Sequence, residues 1–210
     1  SDVYKRQIMK VLQESIMVPE NYKYAINELP EMKSAIHDWY KNRYNVELTY
    51  DEMICLQGSQ EALSTLFLAM CDPGDIVLVP DPYYPIFSDG PKIAGAKVEY
   101  MPLLQENNYV IQLDQIDEEI AKKAKMMIVS YPNNPTCAIA PDSFYEELIQ
   151  FAKKYDIVVL HDNAYSELVF DGKVGKSFLS FEGAKEIGIE LNSFSKTYGM
   201  AGARPVSYTH

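Results

Sequence analysis

Five short runs of β-branched and aliphatic residues recur along the chain, at Ile76 to Val79, Lys97 to Met101, Met126 to Ser130, Ile157 to His161 and Ile189 to Ser193. Runs this short and this apolar predict strands buried on both faces, because a half-exposed strand alternates polar with apolar residues. Stretches with the 3.6-residue apolar period of a helix lie among them. From Pro141 to Tyr155, Phe144, Leu148, Phe151, Ala152 and Tyr155 fall on one side and Asp142, Glu146, Lys153 and Lys154 on the other. Pro30 to Tyr44 carries a similar stripe and starts with a proline, which is tolerated in the first turn. Another helix is predicted after Gly58, with Ser59 as its N-cap and Ala62, Leu63, Leu66, Phe67 and Met70 as its stripe. Strands and helices in this alternation predict an α/β domain of three layers, with a mainly parallel sheet between helices.

The 210 residues are enough to bury one core, and 47% hydrophobic with 23% charged residues is the balance of a globular chain. Asp and Glu number 30 against 19 Lys and Arg, and the net charge of -11 works against nucleic acid or an anionic membrane as partner. Cys55, Cys71 and Cys137 form no CxxC pair, the apolar runs are far too short to span a bilayer, and SDVYKRQIMK lacks a signal-type apolar core. Together these predict a cytoplasmic protein. His37, His161 and His210 are too dispersed to predict a metal site.

The polar motifs fall where loops leave the carboxyl ends of predicted strands, the place where open α/β sheets bind ligands. YPNNPT follows the run ending at Ser130, HDNAY surrounds the end of the next run, and SFSK closes the last. Lys196 is the candidate for Schiff-base chemistry, which needs an amine that is nucleophilic when free and carries a proton afterwards. Ser193 precedes it by three residues and Arg204 follows it by eight, so a hydroxyl and a bidentate guanidinium can meet on one phosphate. Ser59 and Gln60 open a helix whose amides favour an anion. Tyr84, in DPYYPIF, can stack on a flat heteroaromatic ring. Asp162 can hold a ring nitrogen protonated, and Asn134 and Tyr165 can donate to a phenolate oxygen. Each residue alone has a plainer reading: a solvated lysine, an Asn-Pro turn, a loop aspartate, a core tyrosine. The Ser193 to Lys196 spacing also matches the SxxK of penicillin-recognising enzymes, but their SDN and KTG elements are absent.

GSQEAL, DPYYPIF, YPNNPT, HDNAY and SFSKTYGMAGAR, in that order, resemble the class I and II aminotransferases of pyridoxal-phosphate fold type I, with the aspartate and LL-diaminopimelate aminotransferase-like group nearest. The resemblance implies pyridoxal 5'-phosphate on Lys196, Asp162 at its pyridine nitrogen, and Asn134 and Tyr165 at its phenolate oxygen. It further implies Ser59, Gln60, Ser193 and Arg204 at the phosphate, Tyr84 on the ring, and Tyr24 reaching the neighbouring subunit's cofactor in a homodimer. The implied activity moves an amino group between an amino acid and a 2-oxo acid. Cys137 stands where the family usually has glycine. By the same resemblance residues 1–21 are a leader, 22–204 part of the large cofactor-binding domain, and 205–210 a tail foreign to the family. The small domain, with the arginine that grips the substrate α-carboxylate, lies beyond the sequence. A β-elimination lyase of the same fold is the alternative enzyme. The effector domain of a cofactor-sensing transcription regulator is the alternative without catalysis, and neither the acidic charge nor the short leader supplies its DNA-binding module.

Overall fold

The computed structural model describes residues 6–24, 26–203 and 206–209. Its elements run α1 (Arg6–Ile16), α2 (Pro30–Tyr44), β1 (Met53–Leu56), α3 (Ser59–Met70), β2 (Ile76–Asp81), α4 (Ile86–Ile93) and β3 (Lys97–Pro102). They continue with α5 (Glu118–Ala121), β4 (Ala124–Ser130), α6 (Asp142–Tyr155), β5 (Val158–Asp162), β6 (Gly188–Ser193), α7 (Phe194–Thr197) and β7 (Val206–Thr209). One sheet holds all seven strands in the order β1-β7-β6-β5-β4-β2-β3. Neighbours from β6 through β3 are parallel, and β7 runs antiparallel to both β6 and β1.

The five predicted strands form this parallel block; helices cover both faces of β2, β4, β5 and β6, which are buried, whereas β3 at the edge of the sheet is largely exposed. On one face Ile36, Tyr40 and Tyr44 of α2 and Phe144, Tyr145 and Leu148 of α6 pack on Met127, Val129 and Val159. On the other, Leu63 and Phe67 of α3 and Phe87 of α4 pack on Val77, Val79, Ile128, Leu160 and Leu191. Full burial of one such side chain is worth about 1.5–3 kcal/mol, so either helical layer is a substantial part of the stability. The layers also approach closely: a Cβ on Gly90 would lie 1.9 Å from the Leu63 carbonyl oxygen, so only glycine lets α4 sit against α3.

Local signals set the helix ends. Asn45 closes α2 and Asp156 closes α6, both in the left-handed region at φ 57°, which Asn and Asp tolerate better than most residues. Ser59 is not the cap of α3. Gly58 takes that position at φ 93° and ψ 145°, a conformation open to glycine, and Ser59 becomes the first helical residue. Six elements escaped the sequence patterns, among them α1 in the leader and the four-residue helices α5 and α7. β1 is four residues long, α4 contains Pro91, and β7 lies within the stretch read as a tail, where Val206–Thr209 pairs along β6. The leader contains α1, none of whose residues is buried.

Candidate active site

Three strand ends lie abreast. Ser130 of β4 is level with Asp162 of β5, and Asp162 is level with Leu191 of β6. At about 4.8 Å between strands, the loops that follow open within about 10 Å of one another. They carry Asn133 and Asn134, Asn163 to Tyr165, and Ser193 to Lys196. The parallel register therefore gathers three of the motifs at one sheet edge.

Lys196 sits on α7, the short turn into which β6 runs, and Ser193 caps that turn: its hydroxyl oxygen accepts from the Ser195 amide at 3.2 Å. The Lys196 Nζ lies 5.7 Å from the centre of the Tyr165 ring, within range of a cation–π contact. Burial is the main cause that pushes the Tyr165 phenol up, and the charges of Asp162, Tyr84 and Cys137 add to it. Tyr84, half-buried against the α3 and α4 layer, accepts a hydrogen bond from Gln60 Nε2 at 2.8 Å. Gln60 and Tyr84 are thus joined, and both border the helix start that Gly58 shapes. The Gln57 amide there already donates to the Glu61 carboxylate at 2.6 Å.

Asp162 is 7% exposed. Burial drives its carboxyl up from 3.8 to about 6; His161 and the Ala164 amide pull it down, and Glu190 pushes it up. Its Oδ1 has no hydrogen-bond partner among the described residues. Asn133 Nδ2 and Asn163 Oδ1, on the loops after β4 and β5, are buried and unpartnered in the same way. Native proteins rarely leave buried polar atoms unmatched, so each one marks a place for a ligand or a water. A group that brings an N–H to Asp162 Oδ1 and an aldehyde to Lys196 fits this arrangement, and pyridoxal phosphate has both.

The loop that presents Asp162 and Tyr165 is fastened from below. Tyr44 shares a hydrogen bond with Ser166 at 2.9 Å, and Arg43 donates to Glu167 at 2.9 Å. Asn134 is half-buried in its loop, and Ser59 is half-buried at the start of α3. Tyr24 is 99% exposed and joins none of these groups. Arg204 lies outside the described residues. A cavity of 890 Å³ is lined by Tyr131, Cys137, Asp142 and Lys173, among others, and Lys196 is not in its wall.

Sequence reasoning passed over one buried pair. His161 and Glu190 are both 0% exposed, and His161 Nδ1 lies 3.0 Å from Glu190 Oε2. Tyr40 Oη and Ser177 Oγ donate to Glu190 Oε1, both at 2.9 Å, and the Phe178 amide donates to Oε2 at 2.7 Å. A carboxylate written into the apolar run of β6 was the available signal, since a lone buried charge is never neutral to a fold.

The known proteins similar to this chain agree with the geometry. The family model described as aminotransferase class I and II matches residues 5–205, a match that takes in α1 and part of the leader. The chain is 48% identical over 199 residues to an LL-diaminopimelate aminotransferase of Halothermothrix orenii, covering 94% of this chain and 51% of that protein. It superimposes on the apo-BacF structure from Bacillus subtilis with a TM-score of 0.93 at 37% identity, covering 99% of this chain and 53% of that one. An aminotransferase from Staphylococcus aureus gives a TM-score of 0.94 at 32% identity, covering 99% and 55%. The chain spans about half the length of the curated relatives it matches. Motif order, fold and the converging strand ends lead to one assignment: this chain belongs to the class I and II aminotransferases, whose members use pyridoxal 5'-phosphate.

Proposed function

We propose that this chain is the cofactor-binding part of a longer enzyme that transfers an amino group from an amino acid to a 2-oxo acid. The observation that carries the reading is the buried Oδ1 of Asp162, without a hydrogen-bond partner among the described residues, on the strand beside the one that delivers Lys196. A buried carboxylate held at a cost in burial, with one oxygen unanswered, suits a ligand that carries its own positive N–H. When bound, pyridoxal phosphate supplies an electron sink for the carbanion left by loss of the substrate's α-proton.

In this reading Lys196 Nζ would hold the cofactor through its aldehyde and, when free, would carry the substrate's α-proton. Asp162 holds the pyridine nitrogen, and Asn134 and Tyr165 hold the phenolate oxygen. Ser59, Gln60, Ser193 and Arg204 hold the phosphate. The Gln60 to Tyr84 hydrogen bond supports the assignment of Tyr84 to the ring face, because it ties the stacking residue to the phosphate side. Tyr24, exposed on one side of the molecule, is assigned to the neighbouring subunit's site in a homodimer. The protein is proposed to work in the cytoplasm. No helix among the described residues is long and apolar enough to cross a membrane.

LL-diaminopimelate is the first amino donor to test, because relatives at 42–48% identity carry that name. The full-length protein, given pyridoxal phosphate, is expected to consume an amino donor only when a 2-oxo acid is present. Pyruvate and ammonia released from a thioether amino acid without an acceptor would point instead to the lyase. Borohydride reduction followed by peptide mass spectrometry is expected to place the cofactor on Lys196, and labelling of another lysine would refute the site.

A further inference from the structure

His161 and Asp162 are consecutive on β5, so their side chains leave opposite faces of the sheet. Asp162 faces the α3 layer with Leu160, and His161 faces the α2 and α6 layer. There Glu190 of β6 lies level with it, one position before the pairing of Asp162 with Leu191. The Asn163 amide, donating to the Leu191 carbonyl at 2.8 Å, continues the same strand pairing past the site. The His161 to Glu190 contact is therefore a side-chain tie across β5 and β6 directly behind the candidate cofactor carboxylate.

Its hydrogen bonds have a fixed direction. Tyr40, Ser177 and the Phe178 amide already donate to Glu190, and an ionised carboxylate is an acceptor only. His161 Nδ1 must then be the donor in the fourth bond, which leaves Nε2 facing Tyr145 Oη at 3.5 Å. The rings of Tyr145 and Phe178 enclose the imidazole at 5.7 and 5.8 Å. Glu190 and Tyr145 are the titratable groups that face it from β6 and α6, with Tyr40 of α2 acting through Glu190 and Asp162 next to it on the opposite face of β5. Apolar residues of the same size could hold two strands together at least as well, since a buried ion pair often stabilises less than its hydrophobic replacement. What the polar pair adds is a defined orientation and a defined charge next to Asp162.

We infer that the buried His161–Glu190 pair is a positioning device for Asp162: by tying β5 to β6 behind the carboxylate, it sets that group's place and charge environment for the cofactor's ring nitrogen. The inference rests on the reading of Asp162 as the partner of that nitrogen. Glu190 is the anchor, with at least four donors, and His161 transmits its position and charge to the next residue.

The test uses full-length apoprotein and compares dissociation constants for pyridoxal phosphate and its 1-deaza analogue, in which a C–H replaces the ring nitrogen. Wild type is expected to prefer pyridoxal phosphate. Glu190→Gln, which removes the negative charge, and His161→Leu, which removes the imidazole, are expected to reduce that preference by about tenfold, a usual effect of a partner one hydrogen bond removed from a binding group. His161→Asn keeps a donor toward Glu190 and is expected to restore most of it. A purely structural role would weaken both cofactors equally; an unchanged preference ratio in Glu190→Gln and His161→Leu therefore overturns the inference while leaving the Asp162 reading intact. A wild type that does not prefer pyridoxal phosphate overturns both. Should the variants not fold, nitrogen-15 histidine spectra of wild type serve instead. The Nδ1–H form of His161 is expected to respond to pyridoxal phosphate and not to the analogue, and an equal response to both overturns the inference.

Discussion

Asp162 and Glu190 are carboxylates on neighbouring strands, both buried, but on opposite faces of the sheet and in opposite circumstances. Glu190 has donors on both oxygens, from α2, from the turn at Ser177 and Phe178, and from β5. Asp162 has one oxygen without a partner among the described residues and a carboxyl driven up to about 6 by burial. A carboxylate whose lone pairs are answered from within the chain belongs to the scaffold. One left unanswered, as Asp162 Oδ1 is together with Asn133 Nδ2 and Asn163 Oδ1 on the neighbouring loops, marks a place for a ligand or a water.

The contrast breaks first at Glu190. Glu190→Ala strands the Tyr40, Ser177, His161 and Phe178 donors in an apolar layer, and a loss of about 3–5 kcal/mol is expected in urea unfolding. A loss near that of an exposed glutamate would show that the network is not integral to the fold.

Asp162→Asn is expected to act in the other direction. Between about 4 and about 6 the folded protein keeps a proton that the unfolded chain releases, so cofactor-free stability falls as pH rises through that window. Neutral asparagine escapes this cost. It is expected to stabilise the cofactor-free protein by about 3 kcal/mol at neutral pH and by almost nothing near pH 3, where the carboxyl is mostly protonated in both states. The same substitution is expected to weaken pyridoxal phosphate binding. Unfolding curves at the two pH values check the first statement and a spectroscopic titration the second; destabilisation at neutral pH would contradict the reading of a cavity-facing, unanswered oxygen.

Tyr40→Phe gives the smallest effect. It keeps the ring in the core and removes one of the donors to Glu190, which still accepts from Ser177 on the same oxygen. About 1 kcal/mol is expected in thermal or urea unfolding. A much larger loss would mean that Tyr40 holds the whole network.

Much of this was legible in the chain itself. The five aliphatic runs identified the parallel strands because a strand buried on both faces needs no polar alternation, and α6 announced itself through its stripe. Lys196, Asp162, Asn134 and Tyr165 could be named as candidates because motif order survives any folding detail. Other features were not. Gly58, not Ser59, caps α3 because the chain's path into the helix requires a positive φ there. β1 and β7 find their partners across long stretches of chain, which local pattern does not record. The leader stood apart from the motifs that carried the resemblance, yet the family model reaches residue 5.

The sequence by itself determined the five parallel strands, the helices α2, α3 and α6 among them, the family, and the residue types that a pyridoxal phosphate site requires, because these depend on local periodicity and on motifs a few residues long. Tertiary structure alone decided that Ser130, Asp162 and Leu191 stand level, that Asp162 is buried with one oxygen unanswered, and that Glu190 is saturated behind it. Strand register and burial come from contacts between segments far apart in the chain, and those contacts separate a carboxylate answered from within the chain from one that is not.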